Sequence, residues 1–428
     1  MARRLRPRAV CMSSPAAPAI PPLTSAERRA AIGLAGIVAL RTLGLFLIMP
    51  VFAIYAGELA GATPLGIGLA IGVYGLTQAL LQIPFGVLSD RIGRKPMIYL
   101  GLALFTLGSL LAALADDIVL VIIGRAIQGS GAIAAVVMAL TADLTRETVR
   151  VRAMAGIGVS VGLSFAISLV LAPTLAHWVG LSGLFWLTAA FAIAGMLILA
   201  LVVPDPKRSV VHRDVEPVPG QLWDVLREPD LLRLDLSAFL LHMVMTSLFL
   251  VLPLALVASG LAPARHWQVY LPVVLVALST MVPFILFAER PGRAKQVLVG
   301  AVATLGLTLT GLFVWHTTLF ALAAWLVVLF TLFHLLEATL PSLVAKRVPA
   351  GVKGTAMGAY TMFQFSGVFT GGLAGGWLYQ AHGQGGVLLA CAVAALLWLA
   401  IVVPLRDTSA TNADVRGAGA CADEGATG

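Results

Sequence analysis

Gly86-Val-Leu-Ser-Asp90-Arg91-Ile-Gly93-Arg94-Lys95-Pro96 is a knot of charge between two apolar runs, 65–88 and 96–115. Gly86 permits close approach of helices, Gly93 a tight turn, and Pro96 suits the first turn of the next helix. A related stretch, Glu289-Arg-Pro-Gly292-Arg293, lies 199 residues further on and again follows an apolar run. Around both, apolar runs alternate with short polar breaks from about residue 30 to residue 404. A run of roughly 20 apolar residues is long enough to cross a bilayer once as a helix. Twelve such helices are expected, at 30–56, 65–88, 96–115, 118–142, 153–176, 182–203, 231–258, 267–288, 296–315, 318–343, 354–379 and 386–404.

If each run crosses once, successive breaks fall on alternate sides. All but three of the 28 Lys and Arg residues then collect on one side, from Arg3 to Arg416. Arg265 alone lies on the other side, and Arg41 and Arg125 lie inside apolar runs. A cation bias of this kind sets orientation by the positive-inside rule, with both termini in the cytoplasm. Tyr55, Trp178, Trp267, Trp315 and Tyr379 fall at the expected outer boundaries, where amphipathic rings favour the headgroup level.

Composition agrees. The chain is 59% hydrophobic and 11% charged, with a mean hydropathy of +0.97; soluble domains carry about 25% charged residues. The net charge of +8 is accounted for by topology, and no nucleic acid is expected as a partner. Cys11, Cys391 and Cys421 are scattered, without metal or redox spacing, so neither a metal nor another cofactor is expected. The organisation expected is a cytoplasmic N-terminal tail without fixed structure (1–29), six helices (30–203), a central cytoplasmic loop (204–230), six helices (231–404) and a similar C-terminal tail (405–428). An organellar transit peptide is the alternative for the Arg-rich start. Within the Pro-rich central loop, 221–227 suits a short helix on the membrane surface. Pro50 in the first run matches Pro253 in the seventh, so the halves read as parallel repeats about an axis along the membrane normal.

The stretch 86–96 resembles the signature loop of the major facilitator superfamily. Arg125-Ala-Ile-Gln128-Gly129-Ser-Gly131, with Asp143 at the inner end of the same run, is a second match. Arg41-Thr-Leu-Gly44, Gly75-Leu-Thr-Gln-Ala79 and Gly354-Thr-Ala-Met-Gly358 are similar to the drug:proton antiporter branch, and to YajR-like transporters in particular. The fifth run carries Ala172-Pro173 where that branch has Gly-Pro. The resemblance implies an all-α integral membrane protein, two pseudo-symmetric six-helix bundles, working as a monomer in the cell inner membrane.

The residues suggest roles. Asp90 is an anion near the start of the eleventh run at about Gly354, whose helix dipole presents its positive end to the same face. Their pairing in an inward-closed state would latch the halves, with Arg94 held by Asp143 and with Gly86, Arg91 and Gly93 shaping the loop. The alternative is a charged loop kept for topology. Deeper in the membrane, Arg41 lies roughly 16 Å into the first run and Glu337 roughly 14 Å from the Lys346 end of the tenth. Charge there is costly, so each should face a cavity or a partner. Arg41, Arg125, Gln128 and His242 are candidate cavity groups; for the two arginines a static brace is the alternative. Glu337 is the candidate proton carrier, with His334 one turn away as a second titrating group.

The function expected is secondary active transport by alternating access: a proton-driven antiporter exporting small amphipathic or cationic compounds. The alternative is a proton-coupled nutrient or organic-anion carrier, which cavity-lining arginines would favour. No enzyme is expected, and the absence of a G-x-x-x-x-G-K-[ST] stretch argues against direct ATP drive. The partners are the bilayer, protons and a small-molecule substrate.

Overall fold

A computed structural model describes residues 22–206 and 218–406. Most of the two tails and part of the central loop lie outside these residues, as does the transit-peptide alternative. The described chain is helical: α1 Ser25–Tyr55, α2 Pro64–Ile92, α3 Arg94–Ala113, α4 Ile118–Ser130, α5 Ala134–Leu144, α6 Glu147–Leu201, α7 Leu222–Arg227, α8 Pro229–Ala258, α9 Trp267–Ala288, α10 Ala294–Val314, α11 Leu319–Arg347 and α12 Ala350–Val402. Ten helical segments are long and apolar enough to cross a membrane, α4 and α5 together forming one of them. The protein is a multi-pass membrane protein. Its exposed apolar surface includes Leu80, Leu107, Val159, Leu197, Leu286 and Leu307.

Two segments are too long for one crossing. At 1.5 Å per residue, the 55-residue α6 and the 53-residue α12 would each reach about 80 Å if straight, against a hydrocarbon core of about 30 Å. Each instead turns back at a left-handed glycine, Gly180 (φ 67°) and Gly383 (φ 66°). Before Gly180, Ser164 and Ser168 bond to Ala39 O and Leu43 O, so this half runs parallel to α1. Beyond it, Thr188 bonds to Gly44 O and Val203 lies against Gly33, so the direction is reversed. The first half of α12 likewise ascends beside α8, with Gly367, Gly371 and Gly375 against Phe239, Met243 and Ser247. Its second half descends along α10, with Gly385 near Phe313 and Gly306 near Ala395.

All six positive-φ residues among those described are glycines, and they form three pairs. Gly61 and Gly260 follow α1 and α8, and Gly93 and Gly292 follow α2 and α9; both pairs are 199 residues apart. Gly180 and Gly383, 203 apart, divide α6 and α12. These are three of the places where each half changes direction, so the weak internal sequence repeat is a repeat of backbone geometry. Only glycine adopts this region without steric cost.

Two stretches differ from expectation, and the short helix expected at 221–227 is present. α1 begins at Ser25, because Thr24 and Glu27 form a reciprocal capping box, so the last residues of the expected tail belong to the helix. The run 118–142 is not one helix: the chain is non-helical at 131–133, where Gly131 packs so closely on Gly101 that a Cβ would overlap its carbonyl oxygen. The surface helix in the central loop is α7, with Trp223 exposed and Val225 buried. Near it, Val218 N–H donates to Thr355 Oγ1 (2.9 Å) at the start of α12.

Candidate functional site

The halves meet at the face opposite the basic loops. There α2 and α12 touch through backbone: a Cβ on Gly68 would overlap Gly372 O, and one on Gly72 would stand 2.7 Å from Phe369 O. Small residues let helices approach this far. Leu65 N–H donates to Gln380 Oε1 (3.3 Å) across the same seam. At the basic face the bundles part. Gly156, Gly158 and Gly162 of α6 have open space where a Cβ would go. Beyond Ala277 only Ala288 of α9 is buried, and the polar Ser279 and Thr280 are exposed in mid-helix. The opening is therefore directed to the basic face.

Aromatic rings roof it. Phe165 of α6 lies 6.2 Å from Phe249, 6.1 Å from Phe330, 5.6 Å from Phe333 and 5.6 Å from His334, which come from α8 and α11 in the other half, and 4.9 Å from Phe46. His334 belongs to this plug: its Nδ1 bonds to Phe330 O at 2.6 Å.

Next to the plug is a titratable network in the second half. His242 Nδ1 lies 3.0 Å from Ala238 O, so that nitrogen carries a hydrogen, since a carbonyl only accepts. In neutral His242, Nε2 is then an acceptor. Gln364 Nε2 supplies the donor at 2.9 Å and gives its other hydrogen to Glu337 Oε1 at 3.2 Å. Glu337 Oε2 stands 3.4 Å from His242 Nε2. A proton added to His242 would thus turn a Gln-mediated network into a direct ion pair. The Glu337 side chain is 39% exposed and that of His242 is 13% exposed, so the network communicates with the opening. Gln364, which joins the two groups, was not distinguishable in sequence from other intramembrane glutamines.

Arg41, Arg125 and Gln128 do not share this environment. All three are buried in the first half. Arg41 donates to Tyr74 Oη (3.0 Å), Gln78 Oε1 (3.1 Å) and Gly131 O (2.9 Å) and stacks on Phe105. It thereby occupies a carbonyl freed by the break between α4 and α5. Arg125 donates to Ala70 O (3.3 Å) and Gln128 Oε1 (2.5 Å), over the ring of Tyr74. Gln128 passes a hydrogen on to Ser109 Oγ (2.7 Å). In place of the expected cavity lining, these groups brace α1, α2, α3 and α4, because hydrogen bonds and ring faces solvate guanidinium charge that lipid cannot.

The loop after α2 is a locked corner. Gly93 has φ 103°. Arg94 is buried, ion-pairs with Asp90, meets Asp143 at 3.4 Å and donates to Ser89 Oγ at 2.6 Å; Ser89 in turn donates to Gly86 O. Lys95 reaches Val203 O (2.6 Å) and Asp205 (2.7 Å) at the end of α6. Asp90 is bonded to Arg94 and makes no hydrogen bond to the start of α12 near the buried Gly354, as befits bundles that are apart on this face. Arg91 is exposed. A contact the sequence did not reveal ties α1 to the next corner: Glu27 accepts from Arg146 N (3.0 Å), Nε (2.7 Å) and Nη2 (2.9 Å). The corresponding loop of the second half is looser, with Arg293 bonded to Gln296 and stacked with Arg290 on Phe287.

The sequence profile of the Major Facilitator Superfamily matches residues 34–372. The chain belongs to this family. It is 47% identical over 385 residues to the inner membrane transport protein YajR of Escherichia coli (strain K12), covering 90% of this chain and 85% of that one. It is 26% identical over 347 residues to the multidrug resistance protein MdtH of Yersinia pestis (strain Pestoides F), covering 79% and 84%. Among solved structures, a bacterial homologue of the human lysosomal transporter Spinster, described as inward-facing and occupied, superposes with a TM-score of 0.72 at 14% identity, covering 89% and 97%. At that identity the likeness speaks for the fold alone. Family membership makes this chain a membrane transporter.

Proposed function

We propose that the protein is a proton-driven antiporter that exports small amphipathic or cationic compounds across the cell inner membrane by alternating access. In this reading each of α6 and α12 supplies two crossings, giving twelve helices in two six-helix bundles with both termini cytoplasmic. The basic face is then the cytoplasmic one, and the opening is inward-facing. The observation that carries the reading is the Glu337–Gln364–His242 network at the roof of the opening. A carboxylate beside aromatic faces, on a side chain that is partly exposed, attracts a lipophilic cation by charge and by cation–π contact, and the same carboxylate can bind a proton. Competition between proton and cargo for one site couples their opposite movements. The location of YajR and the name of MdtH accord with an inner-membrane exporter.

The alternative, a proton-coupled nutrient or organic-anion carrier, gained weight from Arg41 and Arg125 as cavity groups. Both guanidinium groups are committed to partners within the first half, which favours cationic cargo. The test is flux in proteoliposomes under an imposed pH gradient, with ethidium as the cationic probe and a fluorescent dicarboxylate as the anionic one. Ethidium is expected to move against the proton flow, and Glu337→Gln to remove the dependence on the gradient. Unaltered pH-driven flux in that variant would refute the assignment, and movement of the anion alone would establish the alternative.

A further inference from the structure

Among the described residues, three buried carboxyls have donors. Glu27 takes Arg146 and Thr24, Asp143 takes Arg94, and Asp230 takes Arg233 (2.7 Å) and Arg406 N–H (3.4 Å). Asp235 is the exception. It is 1% exposed, and neither of its carboxyl oxygens has a hydrogen-bond partner. It lies about 9 Å along α8 from Pro229, more than a turn past Asp230 and two residues past Arg233. An acid kept for structure is tied to a cation or to backbone N–H groups, because an unpaired buried charge is strongly destabilising. Asp235 has neither.

Its surroundings connect it to the network already described. From α12, the Tyr360 side chain is buried, its hydroxyl also lacks a hydrogen-bond partner, and it lies in the electrostatic field of both Asp235 and Glu337. Tyr360 lies about 15 Å along α12, and Glu337 about 15 Å from the Arg347 end of α11. The register of α8 on α12, Phe239 at Gly367 and Met243 at Gly371, puts Asp235 within a turn of the level of Tyr360, and about 10 Å nearer the basic face than His242, which meets Glu337. The charges on the neighbours of α8 are engaged, exposed or at a different level. On α1, Arg41 and Glu27 are bonded as above. On α2, Asp90 pairs with Arg94 and Arg91 is exposed. On α7, Asp224 and Arg227 are exposed. On α8 itself, Arg233 is paired with Asp230, and His242 belongs to the Glu337 network. On α11, Lys346 is exposed and Arg347 bonds to Leu343 O and Arg406 O; on α12, Lys353 lies in the first turn, more than one turn before the level of Asp235. No cation is bonded to Asp235.

We propose that Asp235 is a second proton-binding site of the transport cycle, occupied in the conformation open to the basic face. It holds the proton as a neutral carboxyl there and releases it when movement of α8 against α12 exposes it. Binding converts the carboxylate to the carboxylic acid, release reverses this, and no other bond changes. Two acids, Asp235 and Glu337, both close enough to one buried phenol to act on it, then set how many protons accompany each cycle. The transport role rests on the proton-coupled reading above; the binding site itself does not.

Infrared spectroscopy of the full chain in proteoliposomes at neutral pH tests the site. The carbonyl stretch of a protonated carboxyl is expected in the wild type and in Glu337→Gln, with a component that disappears in Asp235→Asn. A spectrum unchanged by Asp235→Asn, or no such band in the wild type, overturns the proposal. A second measurement follows pH-driven ethidium accumulation. Asp235→Asn is expected to lower it at least about tenfold and Asp235→Glu to restore it to within about twofold; full accumulation in Asp235→Asn refutes the transport role. If the wild type moves no ethidium under a pH gradient, the antiport reading fails, while the infrared band still decides whether Asp235 binds a proton.

Discussion

Replacing Gly68 by alanine should shift the conformational equilibrium away from the state described here. A Cβ on Gly68 would overlap the carbonyl oxygen of Gly372 and stand 2.8 Å from Gly376 Cα and 3.0 Å from Gly376 N. All three obstacles are backbone, so no side chain can swing aside, and Gly372 meets Gly68 in the same way from the other side. Overpacking costs about 1–3 kcal/mol, and the rigidity of this contact argues for the upper end. The intrinsic preference of helices for alanine over glycine, about 0.5–1 kcal/mol, applies in both conformations and cancels. At about 1.4 kcal/mol per tenfold, the closed seam should lose about 100-fold in relative population. Nitroxides at Thr63 and Ala381, both exposed beside the Leu65–Gln380 contact, report the seam through their dipolar coupling. The coupling should be strong in the parent, weakened in Gly68→Ala, and lost in Gly68→Ala/Gly72→Ala. Gly156→Ala, which has open space around it, should leave it unchanged. Persistence of the parental coupling in the double variant would show that the α2–α12 seam does not hold the face shut.

Two further outcomes follow from the loops. Asp90→Asn should cut ethidium transport at least about tenfold while membrane insertion persists, since the latch needs an anion when the basic face closes; parental rates in proteoliposomes would discard the latch. Glu27→Ala should destabilise the protein by about 2 kcal/mol, because one cap and several charge-assisted bonds vanish together. The half-exposed Arg146 is partly rehydrated, which limits the loss. A thermal-unfolding midpoint in detergent equal to the parent's would refute the clamp.

Much of the architecture was legible in sequence because lipid constrains a chain more simply than water does. Backbone polar groups in hydrocarbon must bond within their own helix, so long apolar runs read directly as crossings. The site was legible in part. Glu337 and His242 stood out as ionisable groups in apolar runs, yet their connection through Gln364 depends on α12 lying beside both α8 and α11. Arg41 and Arg125 were equally conspicuous, and sequence left open whether they faced a cavity or a brace. The answer turned on the α4–α5 break, which frees the Gly131 carbonyl for Arg41, and on Gln128, which takes Arg125. Asp235 went unnoticed because it lies near a helix end, where an acid in sequence suggests solvent.

By itself, the sequence determined that this chain lives in lipid, which loops share a face, and where each half repeats the other, because hydropathy, cation placement and glycine spacing are local properties of the chain. Only the tertiary structure decided which buried charges find partners and which are left without one, and on which face the halves part. Those depend on contacts between helices far apart in sequence, where a shift of one turn exchanges a partner for empty space.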